Sequence, residues 1–142
     1  MAQVFLDTNV LLYAARDELA PRDAGKRAIA IELLANHDFA ISGQVLAEFY
    51  HNAVRRGERR LSHEEALEWI DKLAEQPCLA VDADLVAAGA TMAERYHLSY
   101  WDGAMLAAAD QLGAETFYTE DLNHGQRYGN VTAVNPFKQL AS

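Results

Sequence analysis

The chain alternates short apolar runs with longer stretches of helical spacing, and that alternation restricts the fold more than any other feature. Residues 3–7 (Gln-Val-Phe-Leu-Asp), 39–41 (Phe-Ala-Ile), 79–81 (Leu-Ala-Val), 116–118 (Thr-Phe-Tyr) and 131–134 (Val-Thr-Ala-Val) read as strands. Helices are expected from Val10 to Ala14, from about Asp23 to Ala35, from Ser42 to about Arg56, from Ser62 to the stop at Pro77, after Asp82 or Asp84, and from Ser99 to Leu112. Ser42 and Ser99 read as N-caps, Ser62 with Glu65 as a capping box, and Gly57 and Gly113 as helix ends. Strands alternating with helices mean an α/β fold, with a parallel sheet of about five short strands covered on both faces. The 62–76 helix reads as an excursion from that sheet. The small residues Ala104, Ala107, Ala108 and Ala109 suit a helix lying close to its neighbour.

At 142 residues, with 51% of them hydrophobic and 23% charged, the chain reads as one domain over 1–142 with a real core. No basic leader precedes an apolar stretch, and no run approaches the roughly 18 apolar residues of a membrane span, so a cytoplasmic protein without membrane contact is expected. Cys78 is the only cysteine, which excludes an internal disulfide, and its neighbours Leu79, Ala80 and Val81 suggest a buried thiol. A formal net charge of -9 argues against holding nucleic acid by bulk electrostatics. Acids that cluster around cations, and the local group Arg55, Arg56, Arg59 and Arg60, are two ways to reconcile the charge with a phosphate ligand. That arginine group is either a solvated loop or a contact for RNA or an acidic partner.

In open parallel sheets ligands bind outside the carboxyl ends of the strands. Asp7 ends the first strand, Asp121 follows the fourth, Asp102 lies in the first turn of a helix, and Glu48 sits beside the apolar stripe of another. Each has a plain structural alternative. Asp7, Thr8 and Asn9 are all favoured N-caps, Asp102 completes a capping-box pattern with Ser99, Asp121 fits a turn, and Glu48 fits a surface position. Together, four acids near one sheet edge repel, since a carboxylate pair at 4 Å costs about 4 kcal/mol at an effective dielectric of 20. A divalent ion would relieve that repulsion. Oxygen donors without cysteine or a helical His-x-x-x-His pair favour magnesium or manganese over zinc, and such ions point to phosphodiester chemistry. His51, His124 and Asn52 could border the pocket, whereas Asp82, Asp84, Asp110 and Glu120 are assigned to caps or solvent.

These residues resemble those of the PIN-domain nucleases, and within them the VapC-type toxins. Phe5-Leu6-Asp7-Thr8-Asn9-Val10-Leu11-Leu12 is similar to the family's opening segment, and Ser42-Gly43-Gln44-Val45-Leu46-Ala47-Glu48-Phe49 to its second. Leu98-Ser99-Tyr100-Trp101-Asp102-Gly103-Ala104 is similar to its third. Thr119-Glu120-Asp121-Leu122 with Asn135-Pro136-Phe137 resembles its closing segments. The resemblance implies a sheet in the order 3-2-1-4-5, a homodimer, and a small antitoxin that blocks the site. It also implies magnesium or manganese at Asp7, Glu48, Asp102 and Asp121, and endonucleolytic cleavage of RNA. Thr8, Asn9 and Thr119 would be supporting polar neighbours. The alternatives are a phosphatase with Asp7 as nucleophile, an acidic-pocket receiver or metal-binding regulatory domain, a PIN-like domain that binds without cutting, and a DNA-cleaving relative. The phosphatase pattern fails because its second aspartate would fall at Asn9, and the receiver's lysine would have to be Lys138, beyond the Asn135-Pro136 turn.

Overall fold

The computed structural model describes residues 4–16, 19–36, 38–55 and 60–138. The elements run β1 (Val4–Leu6), α1 (Thr8–Ala15), a 3-10 turn (Pro21–Asp23), α2 (Lys26–Asn36), β2 (Phe39–Ser42), α3 (Gly43–Ala53), α4 (His63–Leu73), β3 (Cys78–Leu79), α5 (Ala83–Tyr96), α6 (Tyr100–Gln111), β4 (Thr116–Tyr118), β5 (Arg127–Tyr128) and β6 (Val131–Val134). Gln3, His37, Arg56, Gly57 and Arg59, which entered the sequence reading, lie outside the described residues.

The six strands form one sheet in the order β3-β2-β1-β4-β6-β5. The neighbours from β3 to β6 pair in parallel, and β5 joins β6 antiparallel. The α/β class is therefore as expected, and so is the order of the five expected strands. The correction is the sixth strand, β5. Its two residues have no apolar alternation to reveal them, and it forms because Gly129, at φ +63°, turns the chain back onto β6. The third strand also sits earlier than read, at Cys78–Leu79, leaving Val81 exposed.

β1 and β2 are buried along their whole length, as strands covered on both faces must be. α1 to α4 lie in the connections that link β1, β2 and β3, and α5 and α6 in the return from β3 to β4. α1 packs on α2 and α3, while α6 lies against β2, β4 and β6. α4 packs mainly on α3 and buries Ala66 and Leu73 there. The core between the layers is built from Phe5, Leu6, Leu11, Ile41, Phe49, Leu106 and Phe117.

Two glycines set how closely α5 and α6 approach. A Cβ on Gly103 would stand 2.6 Å from the Gly89 carbonyl oxygen, and one on Gly89 would stand 2.7 Å from the Ala104 Cα. Neither gap admits a methyl group, so the helices touch backbone to backbone, which fixes the residue before Gly103, Asp102. Cys78 is exposed, contrary to the expected buried thiol, because β3 is an edge strand and packs on one side only. No helix among the described residues is long and apolar enough to cross a membrane.

Candidate active site

β1 leads to β2 on one side, and β4 flanks β1 on the other, so the order in which strands are added to the sheet reverses between β1 and β4. That switch point is where an open α/β sheet forms its ligand crevice. The parallel register sets Leu6 opposite Tyr118, and the Asp7 amide donates to the Tyr118 carbonyl at 3.1 Å. Thr119 in turn donates its amide to the Val134 carbonyl at 3.0 Å. Asp7 and Thr119 are thus held side by side, just past the carboxyl ends of their strands.

Asp7 occupies the N-cap position of α1 but makes no capping bond. Its side chain is only 2% exposed, and its carboxylate accepts the Thr119 hydroxyl at 2.6 Å. The Thr119 Oγ1 also accepts the Asp121 amide at 3.1 Å, so one hydroxyl joins the two acids. Burial pushes the Asp7 carboxyl up to about 7. The Thr119 bond opposes that rise, while the Asp121 and Asp102 carboxylates add to it. No basic side chain is among these principal influences.

Asp102 lies in the first turn of α6, where the helix N-terminus favours negative charge. Ser99 caps the helix by accepting the Asp102 amide at 3.1 Å. The reciprocal half of a capping box is not formed. Burial raises the Asp102 carboxyl, the Ser99 hydroxyl lowers it, and Asp121 raises it again. Asp7, Asp102 and Asp121 are therefore brought together as mutually repelling charges.

Glu48 is not among the principal influences on Asp7 or Asp102. Its Oε2 accepts Gln44 Nε2 at 2.7 Å, and the same amide reaches the Trp101 carbonyl at 3.1 Å, tying α3 to the start of α6. Gln44 received no role from sequence, although its i,i+4 spacing to Glu48 on one helix face was a usable signal. An open groove of about 580 Å³ beside this contact is lined by Gln44, Ala47, Glu48, His51, Val81 and Trp101.

The supporting residues divide. Thr119 makes the contacts described. Thr8 Oγ1 is buried with no partner among the described residues. Among the described residues, no hydrogen bond joins Asn9 to an acid. Asn52 donates to the Glu48 backbone carbonyl at 2.8 Å rather than to its carboxylate, and His124 accepts the Asn135 amide at 3.0 Å. Asp82 caps α5, as expected, accepting the Leu85 amide at 2.9 Å. Glu120 corrects its assignment to a cap or solvent. It accepts a hydrogen bond from the Tyr13 hydroxyl and pairs with Lys26 Nζ at 2.8 Å. Arg55 is exposed and bonded to Asn52, and Arg60 is exposed.

Among the described residues, no three His, Cys, Asp or Glu side chains close into a ready cage for a metal. The donor set still fits one kind of ion. Magnesium keeps several waters and takes only one or two protein carboxylates, so it needs no such cage. The unpartnered Thr8 hydroxyl next to Asp7 leaves a hydrogen-bonding group for that hydration.

A family model described as "PIN domain" matches residues 4–129. No curated protein gives a significant sequence match to the chain. The structure of VapC20 from Mycobacterium tuberculosis, described as a sarcin-ricin loop cleaving toxin, superposes with a TM-score of 0.64 at 20% identity, over 83% of this chain and 89% of that one. A toxin-antitoxin complex from Klebsiella pneumoniae gives a TM-score of 0.66 at 18% identity, over 94% and 97% of the two chains. DNA-bound VapBC from Salmonella typhimurium gives 0.64 at 17% identity, over 96% and 99%. At these identities the likeness establishes a shared fold.

Proposed function

The chain belongs to the PIN domain family, and on that premise we propose that it is a metal-dependent endoribonuclease, the toxin of a toxin–antitoxin pair. The observation that carries this reading is the buried Asp7. Its carboxyl is pushed up to about 7 beside Asp121 and Asp102, with no lysine or arginine among its principal influences. Carboxylates gathered without a protein cation call for a cation from outside. One or two of Asp7, Asp102, Asp121 and Glu48 would bind magnesium or manganese directly, and the others through the waters the ion keeps. When bound, the ion supplies the charge that activates a water and stabilises the departing oxygen of a phosphodiester.

The chain's own residues do the arranging. Thr119 orients the Asp7 carboxylate, Ser99 and the glycine contact of α6 fix Asp102, and Gln44 holds Glu48 at the groove edge. The structural neighbours include a toxin-antitoxin complex, which supports an antitoxin as partner. The working form proposed is a cytoplasmic homodimer, each chain one domain over residues 1–142. Lys138 is exposed and is not among the principal influences on Asp7, which disfavours the receiver reading.

The test incubates purified wild type and Asp102→Asn with total bacterial RNA, in manganese and in chelator, and resolves the products on a denaturing gel. Discrete fragments are expected only from wild type with metal. Persistent absence of fragments, with the protein folded and free of antitoxin, refutes the nuclease reading. In the same preparations, manganese at 100 times its dissociation constant should stabilise wild type by about 2.7 kcal/mol.

A further inference from the structure

The residue just before Asp121 belongs to a half-buried charge network that the proposed chemistry does not use. Lys26, at the start of α2, donates to Glu120 Oε2 at 2.8 Å and to Asp23 Oδ1 at 2.9 Å. The side chains of Lys26, Asp23 and Glu120 are 16%, 17% and 19% exposed, so water screens these pairs poorly. The Tyr13 hydroxyl donates to the other oxygen of Glu120. The Lys26 ammonium also stands 5.0 Å from the Tyr13 ring centre and 5.6 Å from that of Phe137, and these two rings meet edge to face.

The connections define a short lever. Residues 119–121 are held from one side by Thr119, whose hydroxyl joins Asp7 to the Asp121 amide. They are held from the other side by Glu120, anchored through Lys26 to the 3-10 turn and through Tyr13 to α1, the helix that Asp7 begins. No hydrogen bond of the Asp121 side chain to a basic or amide group is present among the described residues, and its charge is repelled by its neighbours. Besides its contact with the Asp7 carboxyl, the orientation of this exposed side chain depends on the backbone next to it.

We propose that Lys26 is a positioning residue which, by clamping Glu120 against Asp23 and Tyr13, holds the 119–121 segment so that Asp121 faces Asp7 in the metal site. This rests on the nuclease reading for its consequence, but the clamp itself is testable without metal. Lys26→Met should speed hydrogen exchange of the Asp121 amide by about tenfold or more, while the Ala133 amide, bonded to the Gln126 carbonyl at 2.9 Å, stays as in wild type. Manganese affinity, measured by calorimetry, should fall by about tenfold, as is usual when a residue supporting a metal ligand is removed. Lys26→Arg should restore part of both. Glu120→Gln, which keeps the shape and removes the charge, serves if Lys26→Met does not fold, and should change the same amide. An Asp121 amide that exchanges at the wild-type rate in the folded variants overturns the clamp, even if their melting temperatures fall. If wild type itself binds no manganese and cuts no RNA, the nuclease reading fails, and the exchange rates alone still decide the clamp.

Discussion

Replacing Asp7 with asparagine should make the metal-free protein more stable at alkaline pH and remove most of its pH dependence near neutrality. In the folded chain the Asp7 carboxyl titrates at about 7, against 3.8 for an unperturbed aspartate. Between these values the folded state holds a proton that the unfolded state has released, so stability falls as pH rises. The loss is complete once pH has passed about 7. Over the whole interval the shift corresponds to about 4 kcal/mol, and between about pH 5.5 and about pH 8.5 to about 2 kcal/mol. The raised Asp102 acts in the same direction and leaves the variant a residual slope. The asparagine oxygen can still accept the Thr119 hydroxyl, so the comparison isolates the charge. Urea unfolding in chelator at the two pH values measures it. With an m-value of about 2 kcal/mol/M, the wild-type midpoint should drop by about 1 M on going to the higher pH, and that of Asp7→Asn by much less. Parallel pH dependences for the two proteins would refute the claim that this buried carboxyl carries the strain.

Thr119→Val removes the donor to Asp7 and the acceptor for the Asp121 amide, at a cost of about 1.5–3 kcal/mol. It should also raise the Asp7 pKa further, a shift readable from the carboxyl carbon by NMR titration. Gly103→Ala forces a methyl group into the backbone of α5, where the Gly89 oxygen stands 2.6 Å from the added Cβ. A thermal melt should show a loss of about 1–3 kcal/mol, and an unchanged melt would mean that α5 and α6 are not held in this contact.

What the sequence determined by itself is what short-range interactions determine. Ser42, Ser62, Asp82 and Ser99 each cap the helix they precede by a bond to the amide three residues on; the three serines were legible because donor and acceptor lie in one turn, while Asp82 was one of two candidates with Asp84. The fully apolar runs of β1 and β2 announced strands covered on both faces, and the order of elements, with four acids after strand ends or in nearby helices, followed directly. The sequence left undecided whether Asp7 capped α1, and it misread Cys78 as buried and Glu120 as a cap or solvent residue. Those answers depend on partners far along the chain. Asp7 meets Thr119 across 112 residues and Lys26 meets Glu120 across 94, by way of a register that only the assembled sheet fixes. Glu120 and Asp121 are both acids, and no local rule separates them. Packing does, because the lysine and tyrosine that take up Glu120 come from α2 and α1, and the tertiary fold alone brings those helices beside β4.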